Sequence, residues 1–458
     1  MNHRVKKAGI GLLLTLAMVF VTLKDSQAAG LTWEQIREVI KECSYLLLKS
    51  KKPTSEQRKR IQEIHQMVKR GEIGREQIRQ VVKKQVSRDI KKYEFTRYQI
   101  GEMLKRAPEL LPGITSEDLH KMIWEEVTVM LKETLYLKIG TLAPEGTAWL
   151  EVPRKVLNPH LKKVSGGKVV LKLYTGGVMG EDVDIIRKMD LGQLDGCGCT
   201  ALGVFKASPE ISIFTLPLLF RNYDEIDHIL KKFRKEIDAG FEKKGYLLAN
   251  LIDTGWFYLW AKNKVTTLDE IRKQKMMTWF GPVETTTYDE LGIRPTPISV
   301  TEVVTSLNTG LVNATYGPAA WVLGTQAYTN LNYYVTQPLF YSPGAIFFSK
   351  KIQERFRGQY PEILINNFTE LLVYETLTIE REWTDDYVRP YEKKCIEAFE
   401  KYGIKPVTLS EKDMETIEAA AKKVWEKLTG KIYSKDFLDR VLKELENFRS
   451  RVPEKGKP

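Results

Sequence analysis

Residues 135–199 alternate strand-like and helix-like patterns at a regular pace, and this alternation restricts the folds that the chain can adopt. Strand-like runs occupy about 135–140, 168–174 and 192–199, and helix-like runs lie between them. Strand–helix–strand units at this spacing form right-handed crossovers, which build a parallel sheet covered by helices. The segment therefore predicts an α/β fold that binds ligands near the loops after its first and third strands.

The rest of the chain adds one more α/β unit and two helical regions. Strand-like and helix-like runs alternate again between about 246 and 316, and 246–252 and 256–261 are expected as two separate strands. Amphipathic helical patterns fill residues 31–133, where Thr32 and Gln35 form a capping box at the start of the first helix. Residues 361–402 predict a long amphipathic helix near the C-terminus. The sequence thus predicts a small all-α domain followed by two α/β units.

The N-terminus has the composition of a secretory signal peptide. A basic start with Arg4, Lys6 and Lys7 precedes an apolar run at 8–23, and Ala28 closes a short polar end. We expect cleavage after Ala28 and a periplasmic location. An uncleaved membrane anchor is the alternative, but the apolar run is short for a spanning helix. Cleavage removes four basic residues and one acidic residue, so the net charge falls from +12 to +9.

The remaining basic charge does not indicate a nucleic-acid-binding protein. Lysine and arginine residues are interspersed with acidic residues along the predicted helices, which is typical of a solvated helix surface. The sequence contains no zinc-finger or RNA-recognition signature. We therefore predict no nucleic acid partner.

The four cysteines do not indicate a disulfide scaffold or a metal site. Cys197 and Cys199 are too close in sequence for an unstrained bridge, and they lack the spacing of a zinc site or a redox CxxC motif. The pairing of these residues with each other, with Cys43 or with Cys395 stays open at this point. Because the five histidines are scattered along the chain, we predict no metal site and no cofactor.

Catalytic motifs are absent from the sequence. It contains no Gly-x-Ser-x-Gly elbow, and the glycine-rich run 176–180 lacks the Lys–Ser/Thr pair of a phosphate loop. No histidine motif accompanies Cys199, so the small residues at 196–199 favour room for a ligand over a nucleophile. We therefore predict that the protein is not an enzyme. Two exported α/β units without catalytic groups fit a periplasmic binding protein, whose domains close around a ligand.

Five stretches, taken in order, resemble one family. The chain from about 135 to 440 resembles the extracytoplasmic solute receptors of tripartite ATP-independent periplasmic (TRAP) transporters, and the helical region 31–133 lies outside this resemblance. The stretches that carry it are 164–169 (VSGGKV), 191–195 (LGQLD), 209–221 (PEISIFTLPLLFR), 291–297 (LGIRPTP) and 302–310 (EVVTSLNTG). The resemblance implies a small-molecule ligand and TRAP membrane permease subunits as partners, with uptake driven by an ion gradient.

The resemblance also implies the fold class and the domain limits. We expect an α/β, two-domain periplasmic-binding-protein-like fold with a long connecting helix, preceded by a small all-α domain. The expected divisions are a signal peptide at 1–28, a helical N-terminal domain at 29–133, domain I at 134–255 plus about 342–375, domain II with the spanning helices at 256–341 plus about 376–450, and a flexible tail at 451–458.

The aromatic stretch 255–317 is expected to line the binding cleft. In the family, one arginine holds the carboxylate of the ligand in a bidentate pair, and a second arginine and an acid–amide pair are common polar anchors. In this sequence, Met277 and Phe257 occupy the arginine positions, and Tyr316 and Gly317 replace the acid and the amide. The predicted ligand-binding residues are Glu145, Trp149, Cys199, Thr200, Trp256, Phe257, Met277, Trp279 and Tyr316.

A pocket of this composition does not suit a carboxylate, because a buried carboxylate without a paired cation is costly. We predict a largely apolar or aromatic ligand, or a cationic ligand held over aromatic rings, in preference to a dicarboxylate. Trp260 and Phe280 are expected in the core instead, since alternate strand residues face opposite sides. The helical region 30–133 is expected to offer a partner or dimer surface. A periplasmic sensor or adaptor that presents a ligand to a signalling partner is the alternative function.

Overall fold

The computed structural model describes residues 31–279 and 281–451. The predicted signal peptide, Phe280 and residues 452–458 of the predicted tail lie outside the described residues. Among the described helices, none combines the length and the apolar character that a membrane span needs. The chain divides into two compact units, which differ in architecture.

Unit 1 is helical and, among the described residues, contains 31–130 together with Arg357–Tyr374. Its first five helices are α1 (Trp33–Leu48), α2 (Ser55–Lys69), α3 (Arg75–Ile90), α4 (Arg97–Leu110) and α5 (Ser116–Val127). The predicted capping box of α1 is confirmed. The Thr32 N–H donates to Gln35 Oε1 at 2.8 Å, and the Gln35 N–H donates to Thr32 Oγ1 at 3.3 Å.

Unit 2 is built around a mixed sheet. Its strands are β1 (Leu135–Thr141), β2 (Val169–Tyr174), β3 (Gly196–Cys199), β4 (Tyr246–Ala261), β5 (Met277–Thr278), β6 (Thr296–Pro297), β7 (Ala314–Pro318), β8 (Tyr333–Val335), β9 (Phe340–Ser349) and β10 (Lys405–Val407). The main sheet has the order β10-β8-β4-β9-β3-β1-β2, with β7 also paired to β4, and β5 pairs with β6 separately. β1 runs parallel to β2 and β3, as predicted, whereas β9 is antiparallel to β3 and β4.

The helices of unit 2 alternate with these strands and continue to Arg451. They are α6 (Ala148–Val152), α7 (Asn158–Val164), α8 (Asp182–Asp190), α9 (Ala201–Ala207), α10 (Tyr223–Lys243), α11 (Leu268–Arg272), α12 (Pro282–Leu291), α13 (Val303–Thr309), α14 (Ala319–Gly324), α15 (Lys351–Glu354), the end of α16 (Glu362–Trp383), α17 (Arg389–Lys401), α18 (Glu411–Leu428) and α19 (Lys435–Arg451). A π-helical turn joins α6 to α7, and another joins α16 to α17. The predicted long helix at 361–402 is therefore confirmed.

β4 is one strand where the sequence predicts two. Residues 246–252 and 256–261 were expected as separate strands, but β4 runs through both, with a register shift against β9 between Asp253 and Gly255. Gly255 has a φ of +113°, and a Cβ there would lie 2.6 Å from Glu392 Oε1. The irregular conformation and the nearby carboxylate both require glycine at this point. Gly255 thus lies at a bulge within a continuous strand.

The first part of α16 belongs to unit 1. Asn367 donates to the carbonyl oxygens of Ile90 and Tyr93, each at 2.9 Å. The Arg97 guanidinium forms a two-point contact with Glu370, with both N–O distances at 3.0 Å. Residues 357–374 therefore pack in the helical unit, although the expected domain I extended over about 342–375. The division of the α/β part into domains I and II stays a prediction.

The sequence left open whether Cys197 and Cys199 pair, and it predicted that a bridge between them would be strained. The structure contains a disulfide between them, with Cα atoms 5.6 Å apart. This separation lies within the usual range for disulfides. Alternate residues of a strand point to the same face, so β3 presents both sulfur atoms on one side. Cys43 and Cys395 are buried as free thiols.

Candidate functional site

Unit 2 contains a cavity at the carboxyl ends of β1 and β3. Protein atoms leave about 910 Å³ unfilled there, and part of this space is continuous with solvent. Strand residues of β1, β2, β3, β4 and β9 contribute to its lining, together with the helical segment 148–164. Residues near β5, β7 and α14 complete it.

One face of the sheet forms the first wall of the cavity. Ile139 of β1 pairs with Leu173 of β2, and Thr141 pairs with Gly198 of β3. Gly198 in turn pairs with Ile346 of β9. Because residues paired across strands share a face, these five side-chain positions lie on one side of the sheet. Gly198 presents no side chain, so the space above it is left open.

The helical segment 148–164 forms the opposite wall. Leu150, Pro153 and Leu157 line the cavity from α6 and the π-helical turn that follows it. All three are buried. The cavity is also lined by Pro144, Trp149, Thr200, Thr254, Trp279, Val300, Pro318 and Trp321.

Three polar side chains of the lining have protein partners. Thr141 Oγ1 accepts the Ala143 N–H at 3.1 Å. The Thr200 hydroxyl donates to Asp182 Oδ2 at 2.5 Å, and Trp149 Nε1 donates to the Asp253 carbonyl oxygen at 3.0 Å. These groups are therefore held in place by the protein rather than left for a ligand.

Trp279 differs from these residues. Its ring packs between Phe257 and Trp321, with ring centroids at 5.7 Å and 5.2 Å. Its Nε1 is buried and has no hydrogen-bond partner in the part of the chain that the structure describes. The backbone N–H of Trp279 donates to Glu284 Oε2 at 3.0 Å, and burial raises the pKa of the Glu284 carboxyl to about 7. This indole nitrogen exposes almost no surface, so the ring, rather than its N–H, lines the cavity.

Asp182 fixes the loop between β3 and α9. One of its oxygens accepts the backbone N–H groups of Thr200 and Gly203, each at 3.1 Å, and also the Thr200 hydroxyl. Burial is the dominant effect on this carboxyl and raises its pKa to about 7, although these three donors oppose the shift. The contacts hold Cys199 and Thr200 at the edge of the cavity.

Four of the predicted ligand-binding residues lie together on the cavity: Trp149, Cys199, Thr200 and Trp279. They come from three separate segments of the chain. Trp149 begins the helical wall, Cys199 and Thr200 end β3, and Trp279 follows β5.

The other five predicted residues lie elsewhere. Glu145 is exposed and forms an ion pair with Arg154 at 2.6 Å, and the Thr175 hydroxyl donates to it. The remaining four are aromatic or apolar and pack mainly on protein side chains: Trp256 on Tyr223 and Tyr341, Phe257 on Trp279, Met277 in the fully buried core, and Tyr316 between Tyr288 and Phe340. Trp260, expected in the core, is fully buried, which confirms that prediction.

The sequence analysis missed most of the lining. Trp321 follows β7 directly, so the rule that ligands bind at strand ends points to it. Gly198 lies within the small-residue run that was expected to leave room for a ligand. The sequence around Leu150 and Leu157 does not indicate a ligand site, because apolar residues at helical spacing are equally typical of the protein core.

A second, smaller cavity of about 230 Å³ lies beside the bulge of β4, and Trp149 and Thr254 line both cavities. Arg389 binds the carboxylates of Asp253 and Asp227 there, with the Nε–Oδ2 contact to Asp253 at 2.7 Å. Burial raises the pKa of Asp253, and Arg389 partly offsets this effect. The cluster supports the irregular part of β4.

Metal ligation has no support in the described residues. No group of three or more His, Cys, Asp or Glu side chains there is arranged to hold an ion.

Comparison with known proteins gives a consistent result. The family of bacterial extracellular solute-binding proteins, family 7 (DctP), matches residues 139–432. A solute-binding protein of Roseobacter denitrificans is 23% identical over 195 residues, covering 42% of this chain and 58% of its own length. An ectoine/5-hydroxyectoine-binding periplasmic protein of Ruegeria pomeroyi is 25% identical over 169 residues, covering 36% and 49%. The chain thus spans about half the length of these curated relatives.

A solved structure shares the fold over a longer stretch. A TRAP periplasmic solute-binding protein of Haemophilus influenzae with bound L-gulonate superposes with a TM-score of 0.61 at 16% identity. The match covers 68% of this chain and 99% of that chain. At this identity the likeness establishes the fold, and it confirms the predicted α/β architecture.

Proposed function

Because this chain belongs to the bacterial extracellular solute-binding proteins of family 7, we propose that it is a periplasmic receptor that delivers a small ligand to a TRAP-type membrane permease. The cavity of unit 2 is the proposed binding site. Ligand binding there favours closure of the two predicted α/β domains, and the closed receptor docks on the permease. Family membership also agrees with the prediction that the chain is not an enzyme.

The lining of the cavity supports a specific ligand class. Its side chains are aliphatic, aromatic, threonine or disulfide-bonded cysteine, and no Arg or Lys is among the described lining residues. A carboxylate buried on such a surface lacks the cation that would offset its loss of hydration. We therefore propose an apolar or aromatic ligand in preference to a dicarboxylate or sugar acid. The single observation that carries this proposal is the uncharged lining.

A cationic ligand is the second candidate. The rings of Trp149, Trp279 and Trp321 line the cavity and can hold a cation over their faces. Glu284 lies against the Trp279 backbone and supplies negative charge when ionised. Because its pKa is about 7, this attraction strengthens as the pH rises above neutrality.

The helical region 30–133 is proposed to carry a partner or dimer surface. Deleting it is a poor test, because the buried Asn367 and Phe368 of α16 pack within the same unit. Substitution of the exposed Tyr45 and Tyr98 by serine leaves that packing in place. If the Tyr45→Ser and Tyr98→Ser variants both keep the oligomeric state and the permease capture of the wild type, the proposed partner surface on 30–133 is contradicted. A sensor or adaptor role is the alternative to transport, and family membership favours transport.

The ligand class is tested by native mass spectrometry of freshly purified protein, followed by thermal-shift measurements. We expect a retained small molecule, stabilisation by uncharged aromatic compounds such as indole and benzamide, and no stabilisation by L-gulonate. Trp321→Leu should weaken the response. Trp425→Leu is the matched control, because Trp425 lies outside the cavity and donates to the Pro217 carbonyl oxygen. Stabilisation by L-gulonate but not by uncharged compounds contradicts the proposed ligand class.

A further inference from the structure

We infer that unit 1 carries a basic and aromatic surface that binds anionic lipid headgroups of the membrane in which the permease lies. This inference rests on the proposed receptor function, and it deepens the proposed partner surface of region 30–133 by naming the chemistry of the partner. The surface consists of Tyr45, Lys49, Lys51, Lys92 and Tyr93, and we call it the lysine–tyrosine patch.

The patch is continuous because each of its lysines lies over one of its two rings. Lys51 Nζ lies 5.4 Å from the centre of the Tyr45 ring. Lys49 Nζ and Lys92 Nζ lie 5.5 Å and 5.2 Å from the centre of the Tyr93 ring. The Lys49 N–H donates to the Tyr45 carbonyl oxygen at 3.0 Å, so these two residues are one helical turn apart at the end of α1. Three ammonium groups are therefore gathered around two neighbouring tyrosines.

The positive charge of the patch is not neutralised by the protein. None of the three ammonium groups forms an ion pair with a carboxylate of residues 31–279 or 281–451. The acidic residues that flank 91–92 in sequence are engaged elsewhere, since Asp89 accepts from Ser44 at 2.5 Å and Glu94 accepts from Asn366 at 2.9 Å. Like charges gathered in this way repel one another, so the arrangement favours an anion from outside the protein.

The side chains of the patch are those that proteins place at a membrane–water interface. Tyrosine offers an apolar ring with a polar end, and lysine lays its methylene stem along apolar surface while its ammonium group reaches the headgroups. Tyr45 is 45% exposed, and all three lysines of the patch are exposed. Arg106 donates to the Lys51 carbonyl oxygen at 2.6 Å and brings a fourth cation beside them. An anionic lipid surface meets the rings and the cations together, whereas an acidic polypeptide would use the cations alone.

Vesicle flotation with the mature protein tests this inference. The protein is prepared without residues 1–28, so that the apolar run 8–23 cannot itself insert into lipid. It should bind vesicles that contain phosphatidylglycerol and should not bind vesicles of phosphatidylcholine alone. Raising the salt from about 0.05 M to about 0.3 M should weaken this binding, because the screening length of exposed charges becomes shorter.

Replacement of the lysines measures the contribution of the patch. A lysine near an anionic membrane contributes about fivefold to binding, equivalent to ~1 kcal/mol. The combined variant Lys49→Gln, Lys51→Gln and Lys92→Gln should therefore bind the anionic vesicles about a hundredfold more weakly. The combined variant Lys49→Arg, Lys51→Arg and Lys92→Arg keeps the charge and should bind as the wild type does.

A matched control removes the same charge from another surface. Lys412, Lys422 and Lys423 are exposed on α18 of unit 2, and their combined replacement by glutamine should leave vesicle binding within about twofold of the wild type. Lysines near helix C-termini also stabilise helices. Thermal unfolding of every variant therefore shows that a loss of binding is not a loss of folding.

The outcomes separate this inference from the receptor function. Binding that needs phosphatidylglycerol, is lost in the glutamine variant of the patch and persists in the arginine variant supports the inference. Equal binding to both vesicle types, no binding to either, or a glutamine variant that binds as the wild type overturns it. Capture of the protein by immobilised polyglutamate without vesicle binding also overturns it, in favour of an acidic protein partner. None of these results changes the ligand-induced thermal shift, which tests the receptor function separately.

Discussion

Replacing Glu392 by glutamine should make the protein more stable at alkaline pH. Glu392 lies at the start of α17 and is 8% exposed. Its Oε1 accepts the Trp256 N–H at 2.8 Å, and its Oε2 accepts the Tyr223 hydroxyl. A glutamine side chain has the same shape. Its oxygen can accept from Trp256, and its amide can donate to the tyrosine oxygen.

The expected effect follows from the pKa of the Glu392 carboxyl. Burial is the main cause that raises this pKa from 4.5 to about 7, and the neighbouring Asp253 carboxylate adds to the shift. The Tyr223 hydroxyl, the Trp256 N–H and Arg389 act in the opposite direction. Above pH 7 the folded protein must therefore hold a buried negative charge, which the unfolded chain exposes to water.

The sign of the pH dependence is fixed by proton linkage. Between the unfolded and folded pKa values, the folded state binds a proton that the unfolded state has released, so stability falls as the pH rises. This contribution is complete below about pH 4.5 and is lost as the pH passes 7. At ~1.4 kcal/mol per pKa unit, the loss amounts to about 3 kcal/mol. Glu392→Gln removes the titration, so it should be about 3 kcal/mol more stable than the wild type at pH 8.

Urea unfolding between pH 5 and pH 8 measures this difference. Wild type and variant should have similar stability at pH 5 and diverge as the pH rises. Glu236→Gln is the matched control, because Glu236 is exposed and pairs with Arg440 at the surface. Asp182 also has a pKa of about 7, so part of the wild-type slope should persist in the variant. A Glu392→Gln variant with the wild-type slope, or one less stable than the wild type at pH 8, refutes the reasoning.

Two further results are expected. Arg97→Ala should lower the free energy of unfolding of the helical unit by about 3 kcal/mol, because it leaves the Glu370 carboxylate without its buried partner. Arg440→Ala is the control: it removes an exposed ion pair, so urea unfolding should show a loss under ~1 kcal/mol. Cys43 and Cys395 should resist alkylation by iodoacetamide in the native protein and react after unfolding, because burial raises their pKa values to about 12 and about 11. Labelling of native protein at either thiol, detected by mass spectrometry, contradicts this account.

Much of the fold could be predicted from the sequence, because the spacing of apolar residues indicates which face of each helix or strand is buried. The alternation between 135 and 199 predicted parallel pairing of β1 with β2 and β3, which the structure contains. The helical patterns of 31–133 and 361–402 were also sufficient to predict helices there. Pairing between distant strands was not predictable in this way. The antiparallel placement of β9 between β3 and β4 depends on contacts across many residues, which local patterns do not encode.

The candidate site was only partly accessible from the sequence. Trp149 and Trp279 line the cavity, whereas Met277 and Tyr316 are packed against protein side chains. The sequence does not distinguish an apolar residue that lines a cavity from one in the protein core, because hydrophobicity does not specify whether ligand or protein covers the side chain. The Cys197–Cys199 disulfide likewise depended on strand geometry.

The sequence by itself thus determined the family and the α/β class, and it predicted that other residues replace the arginines that usually hold a carboxylate. Only the tertiary structure decided where empty space remains. Gly198, Leu157 and Ile346 are distant in sequence, and they line one cavity because the fold brings them together. A cavity is a property of packing between elements, and no single segment of the chain specifies it.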